Sequence, residues 1–212
     1  MTPATPPLDD AAAMAVFADA LCQRGDPRGE LVQLQLGLED RPGDPRLVRA
    51  EAEHLARNDR ALLGGLRTAT TLCQLTWRRG YVVEAKVKSL AQDPANLWPR
   101  GRVRAEPPRV RLARVVRELL SLESAQPLSL LTVQMPYSTF ARAHLLACVE
   151  EVAQGTPPAL RVLAVHVLEA RYDDDWSGST WQAAATVEEQ LGDLHVSVDA
   201  ALVSPVRALL GA

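Results

Sequence analysis

The chain has 212 residues, of which 47% are hydrophobic and 23% charged, and its net charge is −3. This composition supports one substantial core or two small ones and excludes wholesale disorder. No apolar run approaches the roughly 18 residues of a membrane-spanning helix, and residues 1–10 lack the basic and apolar regions of a secretory signal. We therefore expect a globular protein of the cytoplasm, without a membrane partner.

Residues 1–66 predict a module of three helices. An aspartate pair at residues 9–10 can cap the first helix, because carboxylate oxygens accept from free amide groups of a first turn. The tetrapeptide Gly-Asp-Pro-Arg of residues 25–28 ends that helix and starts the second, with proline at its first position. The same tetrapeptide recurs at residues 43–46 and starts the third, which we predict over residues 45–63.

The stretch 16–35 has the sequence Val-Phe-Ala-Asp-Ala-Leu-Cys-Gln-Arg-Gly-Asp-Pro-Arg-Gly-Glu-Leu-Val-Gln-Leu-Gln. It resembles the repeat-companion domain, a short module of myxobacterial and planctomycete proteins that often stands beside leucine-rich repeats. Phe17 and Ala20 replace the tyrosine and tryptophan usual in that family. The family has no established catalytic residues. The resemblance extends to about residue 65 and implies a bacterial protein whose remainder is similar to leucine-rich repeats.

Residues 67–212 predict a parallel sheet built from strand–helix units. The pattern Leu-x-x-Leu-x-Val occurs three times, at periods of 32 and 31 residues, with helix-like segments between the copies. The copies are Leu128-Leu131-Val133, Leu160-Leu163-Val165 and Leu191-Leu194-Val196. Each connection is long enough to cross over, so we expect parallel strands with helices on one side.

Two α/β folds are open for this region. One is a short horseshoe similar to leucine-rich repeats, although the period exceeds their usual range of about 20–29 residues. The other is an ordinary sheet of three or four parallel strands. In both, helices are predicted over residues 110–122, 137–155 and 180–190. A strand over residues 81–87, which alternates apolar and charged side chains, is predicted at the first edge of the sheet.

Charge is distributed unevenly along the chain. Residues 1–77 carry 8 basic and 11 acidic side chains, residues 78–117 carry 11 and 3, and residues 118–212 carry 4 and 12. The basic segment predicts either docking on the acidic one or a surface for an acidic partner. Nucleic acid is disfavoured, because the whole chain is acidic and the basic segment has few aromatics. The predicted basic surface comprises Arg78, Arg79, Arg100, Arg102 and Arg104, the last three in an exposed loop at residues 93–109.

Signatures of phosphate loops, nucleophile elbows and metalloproteases are missing, so the sequence predicts no catalytic residue, metal or cofactor. The acidic stretch 173–178 resembles the opening of a calcium loop, but Ala184 stands where the twelfth-position glutamate is needed. His144 and Cys148 are four residues apart on a helix among apolar neighbours, which favours packing over catalysis. The three cysteines are too far apart in sequence to indicate a disulfide framework or a zinc ribbon.

Strand alternation predicts which side chains face away from the helices. They are Thr132, Gln134, Ala164, His166, His195 and Ser197. We interpret this face as a surface for another protein, with a simple solvated face as the alternative. The sequence thus favours a non-enzymatic adaptor or scaffold. The alternative function is a regulated component of a bacterial signalling or defence system: a protease substrate, inhibitor or effector subunit that is cleaved or docked at residues 93–109.

Overall fold

A computed structural model describes residues 6–89, 108–137, 141–172, 179–183 and 185–211. N-terminal helices precede a mostly parallel sheet with further helices packed alongside it. The predicted α/β class is therefore confirmed.

Four helices form the N-terminal part. They are α1 (Ala11–Gln23), α2 (Pro27–Asp40), α3 (Pro45–Arg57) and α4 (Asp59–Leu63). The carboxylates of Asp10, Asp26 and Asp44 each accept a backbone N–H of the first turn at 2.9 Å, as predicted for helix caps. The third predicted helix is two helices, because the backbone leaves the helical conformation at Asn58. A 3₁₀ helix, Gly64–Ala69, leads into the sheet.

The sheet has seven strands in the described part of the chain. They are β1 (Cys73–Arg78), β2 (Tyr81–Lys88), β3 (Leu130–Pro136), β4 (Val162–Tyr172), β5 (Ser179–Ala183), β6 (Thr186–Leu191) and β7 (Leu194–Asp199). The order is β1-β2-β3-β4-β7-β6, with β5 paired to the second half of β4. Strands β2, β3, β4 and β7 run parallel, and β1 and β6 form antiparallel edges. The strand predicted over residues 81–87 is therefore β2, one position in from the edge.

Three helices pack on one face of this sheet: α5 (Pro108–Ser121), α6 (Ala141–Gly155) and α7 (Val203–Leu209). Paired side chains of β3, β4 and β7 point into that core as two rows, Leu131–Leu163–Val196 and Val133–Val165–Val198. All six are buried with apolar residues of the three helices in one cluster. Within the described ranges, no helix has the length and apolarity that a membrane crossing requires.

The third copy of the leucine pattern does not align as predicted. The pattern makes Leu194 equivalent to Leu163, whereas strand pairing places Val196 opposite Leu163. The third strand is thus displaced by two residues. A shift of two preserves which side chains face the helices, because the side-chain period of a strand is two.

The helix predicted over residues 180–190 is wrong, because the described part of this stretch forms β5 and β6. Gly192, with φ of 61°, allows a tight turn, so β6 folds back on β7 as a hairpin. Exposed and half-buried side chains alternate along β6 from Thr186 to Leu191. This period of two is typical of a strand, so the helical spacing on which the prediction was based does not determine the structure of these residues.

The turn between β1 and β2 docks on α2. Arg79 and Gly80 have φ of 48° and 77°, the left-handed geometry that suits a two-residue hairpin turn. The Gly80 N–H donates to Oε1 of the buried Gln35 over 2.8 Å. A Cβ at position 80 would lie 2.7 Å from Cγ2 of Val32, closer than side chains approach.

Arg79 fixes this turn to the same helix. Its Nε and Nη2 donate to the Glu39 carboxylate at 3.0 and 2.6 Å, and its Nη1 donates to the carbonyl of Leu8. These hydrogen bonds lower the pKa of Glu39, which keeps the pair charged. One side of α2 therefore faces the rest of the molecule, through Arg28, Val32, Gln35 and Glu39.

We predict that Gly80→Ala destabilises the protein more than Gly192→Ala does. Both glycines have positive φ, which for alanine costs about 1–2 kcal/mol. Only at Gly80 would the new Cβ also meet neighbouring atoms, which raises the expected loss to about 2–5 kcal/mol. Urea unfolding of the two variants measures the difference. Equal losses would mean that the turn does not pack closely on α2.

Candidate functional site

We name the side of the sheet opposite α5, α6 and α7 the open face. Strand register places its side chains in rows that cross the sheet. One row is Lys86–Thr132–Ala164–Ser197–Glu188, the next is Lys88–Gln134–His166, and a third is Glu84–Leu130–Val162–His195–Gln190. All five residues predicted to bind a partner (Thr132, Gln134, His166, His195 and Ser197) lie on this face.

The open face has no buried side chain in these three rows. The residues on β3 and β4 are half-buried, as are Lys88 and Ser197, and the remaining residues of the three rows are exposed. His195 and Glu188 keep 46% and 55% of their side-chain area accessible. The centre of the face combines polar side chains with the apolar Leu130, Val162 and Ala164. Strand β2 contributes Lys86 and Lys88 together with the acidic Glu84, and β6 contributes Glu188.

A hydrogen-bonded network joins β4, β7 and β6 on the open face. Ser197 Oγ donates to Glu188 Oε1 over 2.7 Å and lies 2.9 Å from His166 Nε2. His195 Nε2 lies 2.8 Å from the other oxygen of Glu188. Because the serine proton goes to the carboxylate, the His166 ring N–H is the donor to Ser197. The network fixes these four side chains on the surface.

The hydrogen bonds of this network do not activate the Ser197 hydroxyl as a nucleophile. A catalytic serine must give its proton to a histidine, which a carboxylate then orients. Here the Ser197 hydroxyl donates to Glu188 directly, and the His166 nitrogen facing it carries a proton. The arrangement is therefore a hydrogen-bonded surface network in which the serine is not activated.

The environment shifts the pKa values of two members of the network, His166 and Glu188. Partial burial lowers the pKa of His166, and the nearby Lys86 lowers it further, against the opposing charges of Glu188 and Asp199. The hydrogen bond from Ser197 lowers the pKa of Glu188. The imidazole is therefore neutral and the carboxylate ionised at pH 7.

The predicted basic surface is only partly found. Arg78 is half exposed and its Nη2 reaches Asp9 at 2.9 Å. The prediction is wrong for Arg79, which is 6% exposed and bound to Glu39 inside the molecule. Arg100, Arg102 and Arg104 lie in residues 90–107, outside the described residues, together with most of the loop predicted at 93–109.

Some of the basic segment, residues 78–117, is neutralised within the chain. Arg117 on α5 reaches Glu151 on α6 over 2.5 Å, which joins the basic segment to the acidic one. Arg78 and Arg79 instead pair with acidic residues of the N-terminal part. The described arginines of the basic segment therefore pair with acidic residues of both the N-terminal part and the C-terminal segment.

Cys148, the remaining reactive candidate that the structure describes, is not a reactive centre. Cys148 is fully buried, and burial raises its pKa to about 12, so the thiol stays protonated. The acidic stretch 173–178 lies outside the described residues. Among the residues that are described, no three histidine, cysteine or acidic side chains come together as a metal site.

Sequence reasoning missed one feature, a cleft of about 350 Å³ at the junction of α2, α4 and the 3₁₀ helix Glu123–Ala125. Arg28 and Ser124, both largely buried, are among its lining residues. Arg28 stands in the first Gly-Asp-Pro-Arg tetrapeptide, but Ser124 belongs to no motif. Residues so far apart in sequence give no local signal of a shared cleft.

Comparisons with known proteins find no match, so the functional assignment depends on the geometry described above. No protein-family model, no curated protein and no solved structure matches the chain. The resemblance of residues 16–35 to the repeat-companion domain therefore stays a prediction.

We predict that His166 titrates below its ordinary pKa of about 6.5. Lys86→Gln should raise this pKa, because it removes a repelling positive charge, and Glu188→Gln should lower it, because it removes an attracting negative one. Since the folded pKa is below the unfolded one, the neutral ring contributes stability above pH 6.5 that is lost as the pH falls. NMR titration of the imidazole signals checks both signs, and shifts in the same direction would contradict the network.

Proposed function

We propose that this protein is a non-enzymatic interaction module, an adaptor or scaffold, that binds another protein through its open face. The observation that carries the proposal is the position of Thr132, Gln134, His166, His195 and Ser197. These residues lie on one continuous sheet surface, opposite the helices and without a buried side chain in its three rows. A broad exposed sheet surface backed by a packed core suits recognition of a protein.

The chemistry of the open face defines the partner. Lys86 and Lys88 favour acidic groups next to β2, in line with the acidic partner expected from the sequence. The central threonine, glutamine, serine and histidine offer neutral donors and acceptors. At the other side, Glu188 and His195 form an exposed, hydrogen-bonded pair that favours a polar partner surface. Such complementarity contributes mainly to specificity and association rate.

Rigidity supports the same proposal. The His166–Ser197–Glu188–His195 network holds its side chains before a partner arrives, so less rotamer freedom is lost on binding. The mixed charges of the face do not form the basic stripe that nucleic acid needs. A protein partner therefore fits these groups better than a nucleic acid does.

We further propose that the module acts in the bacterial cytoplasm. The bacterial origin rests on the repeat-companion resemblance of residues 16–35. A cytoplasmic location is supported by Cys22, Cys73 and Cys148, all of which are free thiols.

We predict that Thr132→Arg abolishes partner binding, because a long charged side chain at the centre of the open face separates the two surfaces. Glu150→Arg is the matched control, an exposed position on α6 on the opposite side. Tagged protein is used to capture partners from its native cell extract, and bound proteins are quantified by mass spectrometry. A stoichiometric protein should fall at least about tenfold with Thr132→Arg and stay unchanged with Glu150→Arg.

Thermal unfolding of both variants must show that each is folded. Glu150 is exposed, so Glu150→Arg should change stability by about 0.5 kcal/mol or less, whereas Thr132 is half-buried and its variant needs this check most. Equal capture by the two variants would place binding elsewhere on the molecule. Recovery of nucleic acid alone would contradict an adaptor role.

A further inference from the structure

The side chains of the open face are arranged so that the face complements itself. Its central row, Lys86–Thr132–Ala164–Ser197–Glu188, crosses five strands and carries a positive charge at one end and a negative charge at the other. Both ends are exposed, whereas the three middle residues are half-buried. From either end, the row has a long charged side chain, then a hydroxyl, and then the small Ala164 at the centre.

A two-fold axis that runs along the strands over Ala164 brings two such faces together with this row reversed. Lys86 of one copy then lies opposite Glu188 of the other, and each such pair occurs twice because the axis exchanges the copies. Thr132 lies opposite Ser197, and Ala164 opposite its own counterpart. With the axis across the strands instead, Lys86 would face Lys86 and Glu188 would face Glu188. Charge therefore selects the first arrangement.

The neighbouring row is compatible with the same axis. That row is Glu84–Leu130–Val162–His195–Gln190. Its reversal places Glu84 opposite Gln190 and Val162 opposite its own counterpart. Leu130 then lies opposite His195. No like charges meet in this row, and its apolar centre allows close approach of the two sheets.

The lengths of the side chains suit the shape of two packed sheets. Facing sheets lie about 10 Å apart, and because each sheet twists, they are closest at the centre of the contact and further apart at its corners. Short side chains, Ala164 and Val162, stand at the centre of the open face. The long side chains of Lys86 and Glu188 stand at the two ends of the row, where the larger gap has to be bridged.

Both charged ends can form pairs between molecules. Lys86 is exposed and forms no ion pair with a described residue. Glu188 keeps 55% of its side-chain area accessible. Its two oxygens already contact Ser197 and His195, but each carboxylate oxygen has two lone pairs, so it can also accept from an ammonium group of a second copy.

The size of the face predicts a weak association. Five strands at about 4.8 Å and three rows at about 6.7 Å give roughly 24 by 20 Å, or about 500 Å² on each copy. Two copies together would bury about 1,000 Å², which is the lower limit for a specific protein interface. Since much of this area is polar, we expect a dissociation constant of about 10–100 µM.

We propose that the open face binds a second copy of this chain, face to face, in a symmetric dimer with two Lys86–Glu188 pairs. The dimer itself does not rest on the adaptor function, because it forms from this chain alone. Its consequence does: the second copy covers the face that we assign to the partner, so self-association competes with partner binding. At concentrations well below the dissociation constant the chain is monomeric and the face is free.

Sedimentation velocity of the purified full chain, over about 1–1,000 µM, measures the dimer. The wild type should change from monomer to dimer within this range. Higher salt should weaken the dimer, because charge pairs at an exposed rim are screened over about 8 Å at physiological ionic strength.

Charge reversal tests the pairing. Lys86→Glu places two carboxylates opposite each other and Glu188→Lys places two ammonium groups opposite each other, so each variant alone should dimerise at least about tenfold more weakly. An equimolar mixture of the two variants should dimerise again, because every contact between unlike copies then joins opposite charges. Arg46→Glu and Glu150→Lys are the matched controls. They make the same changes of charge at exposed helix positions and should dimerise like the wild type.

A zero-length cross-link identifies the contact independently. Within one chain, Lys86 and Glu188 are four strand spacings apart, about 19 Å, so a carbodiimide cannot join them. In the dimer it should join Lys86 of one copy to Glu188 of the other. A mixture of unlabelled and ¹⁵N-labelled chains should then give cross-linked peptide pairs of mixed label in mass spectrometry.

Three results would overturn the proposal. The first is a wild type that stays monomeric up to about 1 mM, ten times the highest dissociation constant expected. The second is dimerisation of both single variants as strong as that of the wild type, which would place the contact on another surface. The third is a mixture of the two variants that stays monomeric although thermal unfolding shows both to be folded. None of these measurements includes another protein, so the dimer can fail while capture of a partner by the open face succeeds, and the reverse.

Discussion

The turn between β1 and β2 joins the N-terminal helices to the sheet, and the arrangement of both candidate surfaces depends on it. The Gly80 amide is held by Gln35, which also donates to Glu51 on α3 over 2.7 Å. A single glutamine thus links the turn, α2 and α3. Because Gly80 leaves no room for a Cβ against Val32, the turn and the helix are in direct contact.

This contact also explains how two hydrophobic clusters coexist in a small chain. Tyr81 and Val82 are consecutive in β2 and therefore point to opposite faces, so they contribute to different clusters. Tyr81 packs with α1 and α2, whereas Val82 packs with the helices behind the sheet. The N-terminal helices therefore sit at the turn end of the sheet, and the same helix α2 brings Arg28 to the cleft.

Much of this fold could be predicted from local sequence. Asp26 and Asp44 cap helices as their position before proline indicates, and alternation along β3 and β4 puts Thr132 and His166 on one face. These features depend on residues close in sequence or on a simple side-chain period. The predicted repeat is not found at its third copy, because β6 and β7 form a hairpin around Gly192. The helical spacing in this region led instead to the prediction of a helix.

The features that sequence did not reveal depend on distant residues. Arg79 was assigned to the basic surface because it lies in the basic segment 78–117, yet it pairs with Glu39, 40 residues earlier, and is buried. Glu188 joins the open-face network only because β6 is a strand. Arg28 and Ser124 meet at one cleft through packing of α2 against the turn after α5.

The central claim is that the open face is the surface that binds a partner, and the two lysines allow a direct measurement. Lys86 and Lys88 are the only lysines of the chain, and both lie on this face. Acylation by an amine-reactive ester, followed by mass spectrometry with and without the captured partner, reports on that face alone, with the N-terminal amine as reference. We predict that the partner slows acylation of both lysines. Unchanged acylation of Lys86 and Lys88 in a stoichiometric complex would contradict the assignment of the open face.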